Sequence, residues 1–200
     1  RDFAHAAAVH EQRLRIGAMC RLGDIEQNSS VKRVVPSLAN VIASIASPQI
    51  RNRATIGGNL CLNTRCFYYD QSEFWRGALG FCLKHGSGIC HAAPGLKSCS
   101  AVLSSDLAPL LMALDASVRI AGVSGERTIP LQELYADDGT NPLALGRGEL
   151  LAEIIIPPQP ANARTAFKKL RRRKSIDYPL VNVGATAAID ADNIVRIIRI

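Results

Sequence analysis

The sequence lacks the long hydrophobic runs, internal repeats and low-complexity tracts that mark membrane, repeat and disordered proteins. No apolar run among its 200 residues approaches the ~18 that a membrane-spanning helix needs, and no signal-peptide pattern follows Arg1. Only 20% of the residues are charged while 48% are hydrophobic, so wholesale disorder is excluded and a core can form. We expect one large or two small folded domains in the cytoplasm, with no membrane span.

Acidic residues are scarce relative to basic ones. The 24 Lys and Arg outnumber the 17 Asp and Glu, which leaves a net charge of +7. Six of the basic residues stand between positions 168 and 174, so the excess is one local patch with few aromatics near it. Nucleic-acid-binding surfaces more often interleave basic side chains with stacking aromatics, so we expect no nucleic-acid partner. The patch is either a solvated strand end and loop, or it faces an anionic cofactor or a partner subunit.

Hydrophobic patterning predicts both helices and strands. Apolar spacing predicts helices at 36–47 and 107–114, with a helical turn at 131–135. One strand is predicted at 14–18, and two more, at 117–121 and 126–129, lie on either side of a hairpin turn at 122–125. Further along the chain, strands are predicted at 150–156, 164–170, 180–189 and 194–200. The prolines at 157–160 indicate a linker between two domains. Residues 61–100 follow neither period.

Two adjacent glycines, Gly57 and Gly58, stand out in the segment 54–59. Paired glycines let a backbone approach a ligand closely and can expose successive N–H groups as a nest for phosphate oxygens. Thr55 and Asn59 would add side-chain hydrogen bonds. An ordinary turn is the alternative interpretation, and the dinucleotide fingerprint G-x-G-x-x-G after a strand is missing.

Cysteine is concentrated in one stretch, where five of the six cysteines and six of the ten aromatics fall between 61 and 99. Cys66, Cys82, Cys90 and Cys99 are separated by 15, 7 and 8 residues, without the C-x-x-C pair of common zinc modules. Thiolates select zinc or iron–sulfur, and a [4Fe–4S] cluster takes four cysteines. Zinc, with His85 or His91 as further ligands, and buried thiols without any metal remain open alternatives.

Several motifs together resemble the FAD-binding subunit of the xanthine dehydrogenase family of molybdenum hydroxylases. The resemblance rests on the string IRNRATIGGNL at 50–60 and on Ser105-Asp106-Leu107 before an apolar helix. Further matches follow in the family's order, at 14–18, 36–39, 148–151, 156–157, 167–168 and 171–179. It implies an α+β fold, a mixed sheet with flanking helices. The FAD-binding domain would span 1–157, with its N-terminal subdomain missing, and 161–200 would begin a truncated C-terminal domain.

The cysteine-rich stretch, 61–103, resembles an insertion within that family. Asn59 and Asp106 are 47 positions apart, about 40 more than most members have. The extra residues are similar to the [4Fe–4S] loop of the 4-hydroxybenzoyl-CoA reductase β-subunit. This similarity implies a [4Fe–4S] cluster on Cys66, Cys82, Cys90 and Cys99, and leaves Cys20 and Cys61 outside it.

The resemblance also implies a function in electron transfer, without catalytic residues on this chain. The implied partners are a molybdopterin-binding large subunit and a [2Fe–2S] small subunit, with ferredoxin as the electron donor. FAD would be held by eight residues: Ala54, Thr55, Gly58, Asn59, Ser105, Asp106, Leu151 and Lys168. The alternatives are a xanthine or CO dehydrogenase-type subunit with a structural insert, and a zinc-stabilised interaction module.

Overall fold

A computed structural model describes residues 7–10, 12–173 and 176–200 of the chain. Its strands are β1 Ala8–His10, β2 Arg13–Gly17, β3 Ser117–Gly122, β4 Gly125–Pro130, β5 Leu150–Ile156, β6 Ala163–Leu170, β7 Val181–Ile189 and β8 Val195–Arg199. Its α-helices are α1 Leu22–Gln27, α2 Ser29–Val34, α3 Pro36–Ala43, α4 Pro48–Arg51, α5 Ile56–Leu60, α6 Glu73–Ala78 and α7 Ala108–Ala113. Short 3-10 turns lie at Leu83–His85 and Leu131–Leu134.

The chain divides into two compact units. The larger unit comprises Arg1–Cys61, Ser105–Gln132 and Leu145–Ile200, and the smaller comprises Leu62–Ser104 and Glu133–Ala144. The predicted insertion at 61–103 therefore accounts for most of the smaller unit. Residues 161–200 group with the larger unit, and a domain boundary at 157–161 stays a prediction.

A five-stranded sheet forms one layer of the larger unit, in the order β1-β2-β5-β3-β4 with antiparallel pairing. The strand predicted at 150–156 has those bounds in the structure and lies in the middle of the sheet. Ala152, Ile154 and Ile156 are buried there, and because alternate residues of a strand share one face, this face of the sheet is covered. The predicted hairpin forms β3 and β4.

Short helices pack beside this sheet through buried aliphatic side chains. The predicted helix at 36–47 begins at Pro36 but ends at Ala43, and Ala46 adopts a positive φ of 45° that no helix continues. Ser47 then caps α4 by accepting a hydrogen bond from the backbone N–H of Ile50 at 3.4 Å. The buried Arg51 guanidinium donates to Glu26 at 2.8 Å and to the Ile45 carbonyl at 2.9 Å, which ties α1 and α4 to the end of α3.

A second, three-stranded antiparallel sheet contains β6, β7 and β8 in that order. The strands predicted at 164–170, 180–189 and 194–200 form this sheet, and the observed ends differ from the predicted ones by at most one residue. Gly184 of β7 lies against helix α7 so closely that a Cβ there would be 2.6 Å from Leu110 Cα. This contact places one face of the sheet on the start of α7, beside Ser105 and Asp106.

The smaller unit is mostly irregular, as expected from a segment without a hydrophobic period. Isolated bridges join Arg65 to Val102 and Tyr135 to Leu143. The ammonium group of Lys84 donates to Asn63 Oδ1 at 2.9 Å, to both oxygens of Thr64 and to the Gly139 carbonyl at 3.2 Å. One lysine therefore connects three separate stretches of this unit. Within the described residues of the whole chain, no helix has the length and apolar character to cross a membrane.

Candidate functional site

The glycine pair lies in α5, and its backbone donors are already used. The hydroxyl of Thr55 caps the helix by accepting from Gly58 N–H at 3.1 Å. The other N–H groups of residues 56–59 donate to backbone carbonyls at 2.9–3.0 Å, which belong to Ala18, Cys20 and Thr55. The predicted nest of free N–H groups is therefore wrong: the first N–H groups of a helix have no partner within it, and here the Thr55 hydroxyl and the carbonyls of Ala18 and Cys20 accept from them.

The two glycines serve different purposes. A Cβ on Gly57 would lie 2.8 Å from both the Cβ and the carbonyl oxygen of Ala18, so this glycine permits close packing of α5 on the chain after β2. Gly58 is exposed, and its Cβ would meet only the Thr55 hydroxyl, at 3.0 Å. With Ala54 and Thr55 half-buried beside it, Gly58 forms a bare surface that a ligand can approach.

The side-chain amide of Asn59 lies at the end of this surface, with its oxygen hydrogen-bonded and its nitrogen free among the described residues. Its Oδ1 accepts from the Ser105 hydroxyl at 2.8 Å and from Leu107 N–H at 3.3 Å. These two donors fix the amide orientation, and its Nδ2 has no partner in the described part of the chain. The side chain is half-buried, so the amide N–H₂ can donate to an incoming oxygen such as a phosphate or carbonyl.

Ser105 and Asp106 lie beneath that surface, at only 3% and 4% exposure. The Ser105 hydroxyl also accepts from the N–H of Ala108, the first residue of α7, at 3.1 Å. Asp106 Oδ2 accepts from the Lys169 ammonium at 2.9 Å, and their side chains are 6% and 5% exposed. Asp106 Oδ1 is buried without a partner among the described residues.

The structure does not bring Lys168 to this pair. Lys168 points to the exposed face of β6, whereas Lys169 points inward to Asp106, because neighbouring side chains alternate along a strand. Leu151 is half-buried on β5. Sequence reasoning missed Lys169 and also Asn182, whose amide donates to the Ser105 carbonyl at 3.1 Å. The alternation in 163–170 is the signal that could have separated Lys169 from Lys168.

The four predicted metal ligands line one cavity in the smaller unit. Cys66, Cys82, Cys90 and Cys99 meet there together with side chains that include Tyr68, Tyr69, Lys84 and His91. Three of the thiols belong to buried residues, and Cys66 is half-buried. The cavity volume is about 10 Å³, the room of about one water molecule.

The arrangement of these side chains disfavours a single metal ion. Within the described residues, no three His, Cys, Asp or Glu side chains converge closely enough to hold one ion. His85 instead stacks on the ring of Phe81, with centroids 4.2 Å apart. The zinc alternative therefore lacks a ligand set. A four-iron cluster is larger than an ion and is held by thiolates that stand further apart, so its donor set, four cysteines around one space, matches in number and type.

The thiols differ in electrostatics. The Ser100 hydroxyl, 3.2 Å from Cys90 Sγ, and nearby backbone N–H groups lower the pKa of the Cys90 thiol to about 7. Burial raises the pKa of Cys99. Burial also raises the pKa of Cys20 and of Cys61, the two cysteines that the sequence leaves outside the cluster. The Cys90 thiol is thus more readily ionised than the thiols of Cys20, Cys61 and Cys99, and the thiolate is the form that binds metals.

Known proteins share both the fold and the sequence pattern of this chain. The fold is α+β, and it is shared with a carbon monoxide dehydrogenase from Hydrogenophaga pseudoflava that lacks the Mo-pyranopterin moiety. That structure matches with a TM-score of 0.71 and 23% identity over 98% of this chain and 54% of that one. The family described as "FAD binding domain in molybdopterin dehydrogenase" matches residues 4–159. The chain belongs to this family, which confirms the resemblance to molybdenum hydroxylase flavoprotein subunits.

Curated relatives agree with this assignment. The aldehyde oxidoreductase FAD-binding subunit PaoB of Escherichia coli (strain K12) is 35% identical over 181 residues, covering 86% of this chain and 57% of that protein. The xanthine dehydrogenase FAD-binding subunit of Escherichia coli O157:H7 is 25% identical over 181 residues, covering 90% and 48%. The chain therefore spans about half the length of the curated relatives it matches.

Proposed function

We propose that this chain is the FAD-binding, electron-transferring part of a molybdenum hydroxylase-type oxidoreductase. The family match over residues 4–159 supports FAD as its cofactor. When bound, FAD supplies redox chemistry in steps of one or two electrons, which lets it connect carriers of either kind. The residues of this chain bind and orient the cofactor. None of them is proposed as catalytic.

The structure divides the eight predicted FAD residues into two groups. Ala54, Thr55, Gly58 and Asn59 form an accessible surface, and we propose that they contact FAD, with the Asn59 amide donating to one of its oxygens. Leu151 and Lys168 are accessible too and would flank the cofactor. The buried Ser105 and Asp106 would act from below, by holding Asn59 and the start of α7.

The second part of the proposal concerns the cysteines, and it rests on the observation that four of them line one cavity. We propose that Cys66, Cys82, Cys90 and Cys99 bind a [4Fe–4S] cluster, which when bound supplies one-electron transfer. The donor set has the right number and chemistry. The present cavity volume of about 10 Å³ means that the loop would widen around the cluster as it assembles.

The proposed partners follow from the family resemblance. They are a molybdopterin-binding large subunit and a [2Fe–2S] small subunit in the cytoplasm, and ferredoxin is proposed as the external donor, as in 4-hydroxybenzoyl-CoA reductase. Several relatives carry the names "FAD-binding subunit" or "medium chain", which supports a multi-subunit assembly. A second candidate is a xanthine or CO dehydrogenase-type subunit whose insert is structural, and the small volume of the cysteine cavity favours it.

Anaerobic purification of the full natural protein, with analysis of iron, sulfide and flavin, tests both parts. We expect about one FAD, four iron and four sulfide per chain. Cys→Ser changes at 66, 82, 90 and 99 should each lower the iron content and the broad visible absorption, while Cys20→Ser and Cys61→Ser should not. FAD without iron or sulfide would favour the structural insert, and a protein without FAD would refute the proposed function altogether.

A further inference from the structure

We propose that Lys169 and Asn182 are positioning residues for FAD, which hold the Ser105–Asp106 turn and thereby orient the Asn59 amide. This inference rests on the proposed FAD function. It adds two residues that lie on the three-stranded sheet, far along the chain from the glycine helix. Neither residue has an exposed side chain aimed at a ligand, so both act through other residues.

The two residues form a cross-strand pair. Lys169 of β6 is directly opposite Asn182 of β7 in the antiparallel register. Residues opposite each other in such a pair project from the same face of the sheet. From that face Lys169 donates to Asp106 Oδ2 at 2.9 Å, and Asn182 donates to the Ser105 carbonyl at 3.1 Å. Two neighbouring residues of one turn are therefore held by two neighbouring residues of one sheet.

The position of the Ser105–Asp106 turn determines the orientation of the Asn59 amide. The Ser105 hydroxyl and the Leu107 backbone N–H both donate to Asn59 Oδ1, so the amide oxygen must face the turn. The amide nitrogen then faces away from it, on the accessible side of α5. Displacement of the turn would free the amide to rotate, because no other described residue holds it.

Burial makes the Lys169–Asp106 contact hard to replace. The two side chains are 5% and 6% exposed, so water cannot take the place of a lost partner. A carboxylate left alone there would draw the turn toward solvent or toward another donor. A site held by packed, hydrogen-bonded neighbours on a rigid sheet keeps its geometry more closely than one held by a loop alone.

The test compares Lys169→Met and Asn182→Leu with Arg164→Met in the full natural protein. Arg164 lies on the exposed face of the same strand, so its change removes one positive charge without touching the turn. Three quantities are measured: the Kd for FAD added to the apoprotein, the visible circular dichroism of bound FAD, and the melting temperature of the apoprotein. We expect Lys169→Met and Asn182→Leu to weaken FAD binding about tenfold, equivalent to about 1.4 kcal/mol, and to alter the dichroism. Arg164→Met should change neither.

A double-mutant cycle separates positioning from general stability. Because Lys169 acts through Asn59, adding Lys169→Met to Asn59→Ala should change the Kd for FAD by less than about twofold. If the effects of the two changes multiply, the inference is overturned. It is also overturned if Lys169→Met and Asn182→Leu only lower the melting temperature and leave FAD affinity and dichroism unchanged.

Two further outcomes are also decisive. If Lys169→Met does not fold, Asn182→Leu, which leaves no buried charge unpaired, decides by the same three measurements. Wild-type protein that binds no FAD would overturn the proposed function together with this inference. Tight FAD binding by wild type and variants alike would overturn this inference only.

Discussion

At the scale of single residues, the glycine segment shows how neighbours in sequence can have unrelated roles. Gly57 faces Ala18 and leaves no room for a methyl group, whereas Gly58 faces outward. The Asn59 side chain faces both ways: its amide oxygen accepts hydrogen bonds from the protein interior, and its amide nitrogen lies on the accessible side. A binding surface of this kind depends on packing one layer below it.

Gly57→Ala should therefore destabilise the protein. Its Cβ would be 2.8 Å from Ala18 Cβ and O, an overpacking that costs about 1–3 kcal/mol. One of the two contacts is a backbone carbonyl oxygen, which cannot move aside as a flexible side chain can, so we expect the upper end of this cost. The better helix propensity of alanine returns about 1 kcal/mol, which leaves an expected net loss of about 2 kcal/mol in the free energy of unfolding, measured by urea denaturation. Gly58→Ala is the matched control, because its Cβ meets only the Thr55 hydroxyl, at 3.0 Å, and it gains the same helix propensity. We expect its stability to equal that of wild type or to exceed it by up to about 1 kcal/mol. Equal stability of both variants would contradict the close contact.

At the scale of secondary-structure elements, the three-stranded sheet and helix α7 belong together. Gly184 lets β7 approach the helix backbone, and Lys169 and Asn182 reach the turn before it. The glycine allows the approach and the polar pair fixes the position along the strand. The sheet thus supports the start of α7, and with it the residues that hold Asn59.

Gly184→Ala tests this packing. The added Cβ would lie 2.6–2.7 Å from backbone atoms of Leu110 and Pro109, which cannot move aside as a flexible side chain can. We expect a loss of about 3 kcal/mol, at the upper end of overpacking costs, or a fall of roughly 6–12 °C in melting temperature. Val181→Thr, at an exposed position of the same strand, should remain within about 0.5 kcal/mol of wild type. A melting temperature of Gly184→Ala within a degree of wild type would show that the sheet does not pack on α7.

At the scale of the whole molecule, the basic patch is not one continuous charged surface. Lys169 is buried in an ion pair, Arg171 donates to the Ser44 carbonyl at 3.2 Å, and Arg173 pairs with Asp177 at 3.9 Å. Lys174 lies outside the described residues. The charge of Lys169 is therefore neutralised within the fold, whereas the Arg173 side chain is 72% exposed and can still meet a partner.

Within the smaller unit, Lys84 holds several chain segments together and Trp75 can report unfolding by its fluorescence. Lys84 donates to oxygens of Asn63, Thr64 and Gly139, and Trp75, the single tryptophan of the sequence, lies in the same unit. Lys84→Met leaves several of these oxygens without a donor, and we expect a loss of about 2–3 kcal/mol in the unfolding transition that Trp75 fluorescence reports. Lys97→Met, exposed in the same unit, should leave that transition in place. An unchanged midpoint in Lys84→Met would show that the lysine holds nothing together.

Prediction from sequence succeeded where structure follows a local period. The strands β5, β6 and β7 and helix α7 were predicted because their side-chain alternation or helical spacing extends over six or more residues. Helices α1 and α2 were missed, since each is only six residues long and is held by tertiary packing of residues such as Leu22 and Val31. Of the candidate site, the eight FAD residues and the four cluster ligands stay predictions, and the nest at the glycine pair was wrong because its N–H groups find partners in distant chain segments, at Ala18 and Cys20.

The sequence by itself determined the family, the periodic elements and the cysteines that are candidates for a cluster, because each of these depends on residue type and spacing alone. Only the tertiary structure decided that Lys169, and not Lys168, reaches Asp106, and that Asn182 joins it. The physical reason is that a strand sends adjacent side chains to opposite faces. Packing against α7 then determines which face lies inward, and with it which of two adjacent lysines holds the site.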